Sequence, residues 1–312
     1  MRDVTMGRAN LEEFAATLEE LARENPKILV VTSDSRGSGK LVPFGQHLPE
    51  QIVEVGIAEQ NLVGVAAGLS STGKKVFAVS PACFLTARSL EQIKNDVAYS
   101  DFPVVLVGIS AGVSYGALGS THHSTHDVAV LRTIPNLDVV VPADNFETRE
   151  AVKAAAVSER PLFLKFGKKA MANLPGTEAG FSIGKVRRVR SGQDLLLLAT
   201  GETVWPAYLA AQSLEKQGIG TELLSVHSMK PLDREAILAG AGSRRAVITV
   251  EEHSLNGGLG EAVATLLLEA GIHIPCPGGH PRRGHPHRIP AGHLPGLRHH
   301  PGGTGWTGPC NF

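Results

Sequence analysis

The chain has 312 residues, 42% of them hydrophobic, and its 30 basic residues are balanced by 30 acidic ones. That is the composition of an ordinary soluble globular protein long enough for two domains, and it carries no electrostatic footprint for nucleic acid or a membrane surface. Three scattered cysteines (Cys83, Cys276, Cys310) exclude a disulfide framework or a zinc motif, no apolar run reaches eighteen residues, and MRDVTMGRANLEEF lacks a signal-peptide core, so a cytoplasmic protein is expected.

Asn10, with Glu13 three positions on, reads as the N-cap of a helix running to Glu24, where Asn25-Pro26 ends it. The β-branched run ILVVT at 28–32 suits a strand buried on both faces. Strand and helix then alternate. Strands are predicted at 75–79, 103–108, 137–141 and 162–166, and helices at 85–99, 128–132 and 146–157. Such alternation means crossover units on a parallel sheet covered on both sides, the α/β class. A more polar segment, 169–190, breaks the rhythm and reads as a linker between a domain at 1–168 and a smaller α/β domain at 191–274. In the second domain, strands are expected at 195–199, 219–226 and 247–251, and helices at 204–217 and 260–270. From 275 to 312 the chain is rich in Pro, Gly, His and Arg, and no acid follows Glu269. That composition predicts a disordered tail, and the abruptness of the change also fits a shifted reading frame.

The segment VEVGIAEQNLVGVAAGLSS, 53–71, reads as a strand end turning at Gly56 into a helix rich in Ala and Gly. Glu59 is the one acid in its first turn. It gains from the helix dipole, while burial among small apolar neighbours opposes its charge. GSGK at 37–40 tempts a phosphate-loop reading but lacks the first glycine and the hydroxyl residue; GGLG at 257–260 lacks dinucleotide spacing and reads as a tight turn. GSTHHSTHD, 119–127, follows a glycine-rich loop, and loops at the carboxyl ends of parallel strands are where such folds place their sites. His122 and His126, with Asp127, could hold a metal if helical; on loop placement, histidines that touch a substrate are the better reading, and a solvated polar loop is the plain alternative. Phe84, at a strand-to-helix turn, is by itself a core aromatic.

Taken together and in order, EVGIAEQN, Phe84, GSTHHSTHD and LRTIPNLDVVVPAD resemble the thiamine-diphosphate-dependent transketolase family, over about residues 1–270. The first part is also similar to 1-deoxyxylulose-5-phosphate synthase and to β subunits of 2-oxo acid dehydrogenases. The resemblance implies a pyrimidine-binding domain followed by a C-terminal transketolase-type domain. It assigns Glu59 to the N1′ atom of the cofactor's aminopyrimidine and Phe84 to stacking on that ring. His122 becomes a proton-shuttling and substrate-binding histidine, with weaker warrants for His123 and His126. Lys168 stands where the family has an arginine for the substrate phosphate; a lysine keeps the charge and loses the bidentate fork.

No GDG motif, the family's magnesium and diphosphate signature, occurs in this chain. The resemblance is therefore to the C-terminal subunit of a split transketolase. Its implied partner is an N-terminal subunit that carries the GDG…N motif and holds Mg2+, in a heterotetramer with thiamine diphosphate shared between subunits and sugar phosphates as substrates. Two positions depart from the family pattern on the substrate side: Leu118 replaces an acid and Ser110 a histidine. A β subunit of a 2-oxo acid dehydrogenase or acyloin-cleaving complex, and a non-catalytic partner subunit, are the competing readings.

Overall fold

The computed structural model describes residues 4–242 and 244–273 together with the backbone of 287–288. In chain order the first half contains β1 (Met6–Ala9), α1 (Asn10–Glu24), β2 (Ile28–Thr32), α2 (Val42–His47), β3 (Ile52–Glu54), α3 (Glu59–Ser70), β4 (Lys75–Pro81), α4 (Ala82–Arg88), α5 (Leu90–Gln92), a π-helical turn (Ile93–Tyr99), β5 (Val105–Ile109), α6 (Asp127–Arg132), β6 (Asp138–Val140), α7 (Asn145–Val157) and β7 (Leu162–Phe166). It continues through β8 (Ala170–Ala172), β9 (Arg187–Arg190), β10 (Leu195–Ala199), α8 (Val204–Glu215), β11 (Thr221–Ser225), β12 (Ser228–Lys230), α9 (Arg234–Ala241), β13 (Ala246–Val250), α10 (Leu259–Glu269) and β14 (His287–Arg288).

One sheet has the order β12-β6-β7-β5-β4-β2-β3, parallel except for β12. The pleat sorts its side chains into two cores. Ile28, Val30, Phe77, Val79, Val105 and Val107 meet α1 and α7 on one face. Val31, Val76, Ala78 and Leu106 meet α3 on the other. The second core does not stop at the end of the first unit. It runs on through Val128 and Val139 to Leu196, Leu224, Met229 and Ile237 of the smaller sheet, ordered β14-β13-β10-β11-β9. Strand β12, from the second half of the chain, completes the first sheet by pairing antiparallel with β6. The two α/β units therefore share apolar packing and a strand.

Three expectations change. Asn10 is not the cap of α1; Ala9 is, because β1 runs extended up to the helix. The Asn10 amide instead donates to the Ala143 carbonyl and accepts from Asn145, and Glu13 pairs with Arg8 and Arg149, both at 2.6 Å. The helix expected over 85–99 is broken at Ser89, whose hydroxyl donates to the Leu85 carbonyl. The polar segment 169–190 contains strands: β8 pairs with β1, and β9 forms an edge of the second sheet against β11. Its charge is the reason it reads as a linker, and that charge is in part buried. Arg187 lies 2.9 Å from both Asp144 and Glu147, with all three side chains sealed from water. Within 275–312, β14 pairs parallel with β13; the rest of that expected tail lies outside the described residues.

Removing one member of a buried ionic cluster leaves the others charged and unpaired. Arg187→Met is expected to destabilise the chain by about 3–5 kcal/mol, read as a lowered midpoint in chemical denaturation.

Candidate functional site

Glu59 opens α3 after a turn in which Gly56 adopts φ +71°. That turn is organised by Glu54 at the end of β3, whose carboxylate accepts from the amides of Asp34 and Gly56 and from the Thr32 hydroxyl. Only 3% of Glu59 is exposed. Its two carboxylate oxygens each lie 3.0 Å from Nη1 of Arg88, the last residue of α4. The Arg88 guanidinium also lies over the ring of Phe84, one turn earlier on α4, at 4.1 Å from the centroid. Phe84 meets His122 edge-to-face at 5.1 Å, and His122 meets Tyr115 in the same manner at 5.2 Å. The Lys168 ammonium sits 4.5 Å over the Tyr115 ring. A continuous row thus runs Glu59–Arg88–Phe84–His122–Tyr115–Lys168 along the carboxyl ends of β3, β4, β5 and β7.

The row brings together Glu59, Phe84, His122 and Lys168, four of the residues marked out in the sequence. His126 stays apart. It is exposed at the N-cap of α6, and Asp127 beside it is committed to Ser124 and Lys165. The three side chains read as a possible metal set do not converge. His123 turns to the Gly116 carbonyl, 3.1 Å from Nε2. Arg88 and Tyr115 were not singled out in the sequence. Arg88 carries a signal that could have marked it, since a residue four positions after Phe84 on a helix shares its face.

The loop bearing Tyr115 and His122 is held in shape by unusual backbone. Ser110 is buried at φ +64°, and Gly112, Gly116 and Gly119 are also left-handed. A buried non-glycine residue in that region marks local strain that its surroundings must maintain. Burial pushes the Tyr115 phenol up from its ordinary value. Leu118 is 56% exposed at the end of a single helical turn in this loop.

The loop is anchored from below and from the second unit. Ser124 donates its amide to the Gly112 carbonyl, closing the base. The buried Lys165 bridges the Ser124 carbonyl and Asp127 at 3.0 and 2.7 Å. From the second unit, His253 Nε2 accepts from the Ala129 amide, Ser254 donates to the Thr125 carbonyl, and Arg132 reaches the Gly257 carbonyl. Glu252, held by the Val113 amide, presses so closely on Gly112 that an added Cβ would lie 2.1 Å from Oε2. Glu202 packs likewise on Gly167, beside Lys168. Burial, then the charge of Glu252, pushes the Glu202 carboxyl up to about 7 against the attraction of Lys169.

This value lies above the ordinary 4.5 of a glutamate, so the contribution of Glu202 is fully present below about pH 4.5 and is lost as pH rises through 7. Glu202→Gln is expected to lose less stability than the parent chain between pH 5 and 8, by on the order of 3 kcal/mol, in thermal unfolding across that range.

Residues 8–173 match the family model described as transketolase, pyrimidine binding domain, and residues 184–279 match that of the transketolase C-terminal domain. The chain is 48% identical over 259 residues to a subunit of the apulose-4-phosphate transketolase of Phocaeicola vulgatus, covering 83% of each protein. It is 36% identical over 258 residues to a 6-deoxy-6-sulfo-D-fructose transketolase subunit of Clostridium sp. strain MSTE9, covering 83% of this chain and 80% of that one. A solved structure described as a split gene transketolase, inactive β4 tetramer, superposes with a TM-score of 0.77 at 39% identity, over 84% of this chain and 85% of the other. Among the described residues, no helix is long and apolar enough to cross a membrane.

Proposed function

The chain belongs to the transketolase family, and from that premise we propose that it is the C-terminal subunit of a split, thiamine-diphosphate-dependent transketolase. In this reading it moves a two-carbon ketol unit between a ketose phosphate and an aldose or aldose phosphate in the cytoplasm. One observation carries the proposal: a buried carboxylate and an aromatic face, 25 positions apart in sequence, converge on a single planar nitrogen-bearing group. The same convergence supports the fit of the cofactor: Phe84 offers a face to a planar ring, and the Glu59 carboxyl beside it can share a proton with a ring nitrogen. Phe84 and Glu59 would hold the aminopyrimidine.

When bound, thiamine diphosphate supplies the carbon nucleophile that carries a two-carbon unit. Glu59, shielded from water, would offer a carboxyl oxygen with which a proton could be shared at N1′. Phe84 would hold the ring through its aromatic face. His122, in contact with Phe84, is placed to exchange a proton with substrate hydroxyls, with Thr121 Oγ1 3.0 Å from its Nδ1. Lys168, at the exposed end of the row, offers charge to a substrate phosphate, and His126 is assigned an outer, substrate-side role.

The diphosphate and Mg2+ are assigned to an N-terminal partner subunit bearing the GDG…N motif, in a heterotetramer. The description of a similar protein as an inactive β4 tetramer supports the need for that partner. The relatives named for apulose 4-phosphate and for a sulfosugar support a family whose sugars vary, and this chain has the exposed Leu118 where an acid is usual.

Ketol transfer, measured by coupled assay with thiamine diphosphate and Mg2+, is expected from this chain co-expressed with its N-terminal subunit and not from the chain alone. Glu59→Ala should lower kcat of the pair by about 10²–10⁴-fold, the usual contribution of a positioned acid–base group. Undiminished activity in that variant would remove the assigned mechanism. Leu118→Asp is expected to shift kcat/KM toward sugars with an additional hydroxyl near the reacting carbon, leaving cofactor affinity unchanged; a competition assay between two ketose donors reads the shift.

A further inference from the structure

We propose that Arg88 competes with the cofactor's aminopyrimidine for Glu59 and Phe84, and thereby sets how tightly that ring is held. The inference rests on the assignment of those two residues to the cofactor.

A guanidinium is a flat fork of N–H donors that both pairs with carboxylates and lies on aromatic faces. Arg88 uses both properties at once, at 3.0 Å from each Glu59 oxygen and 4.1 Å from the Phe84 centroid. These are the two surfaces through which an aminopyrimidine would be held, and one acceptor edge and one ring face cannot serve two planar groups together. Among the described residues, Arg88 is the sole hydrogen-bond partner of the Glu59 carboxylate.

The position of Arg88 allows it to leave. It ends α4, where Ser89 breaks the helix, and its side chain is 47% exposed, so solvent lies open to it. Burial of Glu59 gives the arrangement its purpose. A carboxylate held away from water needs a donor; Arg88 supplies one, and with the ring in place a proton shared with N1′ would take over that role. Binding the ring therefore includes the cost of separating Arg88 from both partners.

The test uses the complex with the N-terminal subunit and titration calorimetry with thiamine diphosphate and Mg2+. Arg88→Met should bind the cofactor about tenfold more tightly than the parent, the combined worth of one exposed cation–π contact and one ion pair. Arg88→Lys, which keeps charge without the fork, should fall between the two, and serves alone if the Met variant does not fold. Methylguanidinium added to Arg88→Ala should weaken cofactor affinity competitively and leave the parent unaffected. Equal or weaker binding in the Arg88 variants, alongside weaker binding in Glu59→Gln and Phe84→Ala, would overturn the role of Arg88 and leave the site standing. Unchanged affinity in Glu59→Gln and Phe84→Ala would overturn the site itself and this inference with it.

Discussion

A carboxylate at the first residue of α3, almost sealed from water, must be given a donor, and much of the local architecture follows from that requirement. The small residues of α3 pack its far face into the larger core, which pins the start of the helix at the sheet edge. The turn before it is fixed by Glu54 rather than by Glu59, so Glu59 is not consumed in holding its own backbone. Its oxygens remain available to a group arriving from the next crossover, α4. The short span of α4 delivers both a ring and a guanidinium to that point, one turn apart on the same face.

Among the described residues, the second unit contributes no side chain to this row, yet the row depends on it. Loop 111–126 carries Tyr115 and His122 through left-handed positions that a free chain would abandon. Glu252 and Ser254 grip it by its backbone while His253 holds the start of α6 behind it, and Glu252 needs the bare Cα of Gly112 to get close enough. Burying Glu202 and Glu252 side by side is electrostatically unfavourable, and Lys165 and Lys169 offset it only in part. The same joint that shapes the loop is therefore sensitive to protonation.

Strands buried on both faces were legible because their composition admits few alternatives: ILVVT is β2 residue for residue, and LFLKF is β7. What failed did so where a polar residue had a distant partner. Asn10 is a good cap in isolation, but Ala143 and Asn145, more than 130 positions away, offer its amide a buried network instead. Arginine-rich 187–190 reads as solvated, because nothing local announces that Asp144 and Glu147 wait beneath it. Family likeness marked single residues for the candidate site, and gave no order in space for them. Tyr115 and Arg88 enter it through ring and cation contacts, which leave no periodic trace in a sequence.

The order of the row separates two groups of residues physically. Glu59 and Phe84 stand on helices locked to the sheet, whereas Tyr115, Leu118 and His122 stand on the loop and Lys168 on the exposed segment after β7. The two groups communicate through one edge-to-face contact, Phe84 with His122. A contact of that kind contributes on the order of 1 kcal/mol and tolerates small shifts of either ring. Substitutions in the loop can therefore alter its own surface while Glu59 and Phe84 keep their geometry. Under the proposed function, that decoupling gives a physical reason why a leucine can stand at 118, where the family resemblance implies an acid, without disturbing Glu59 and Phe84.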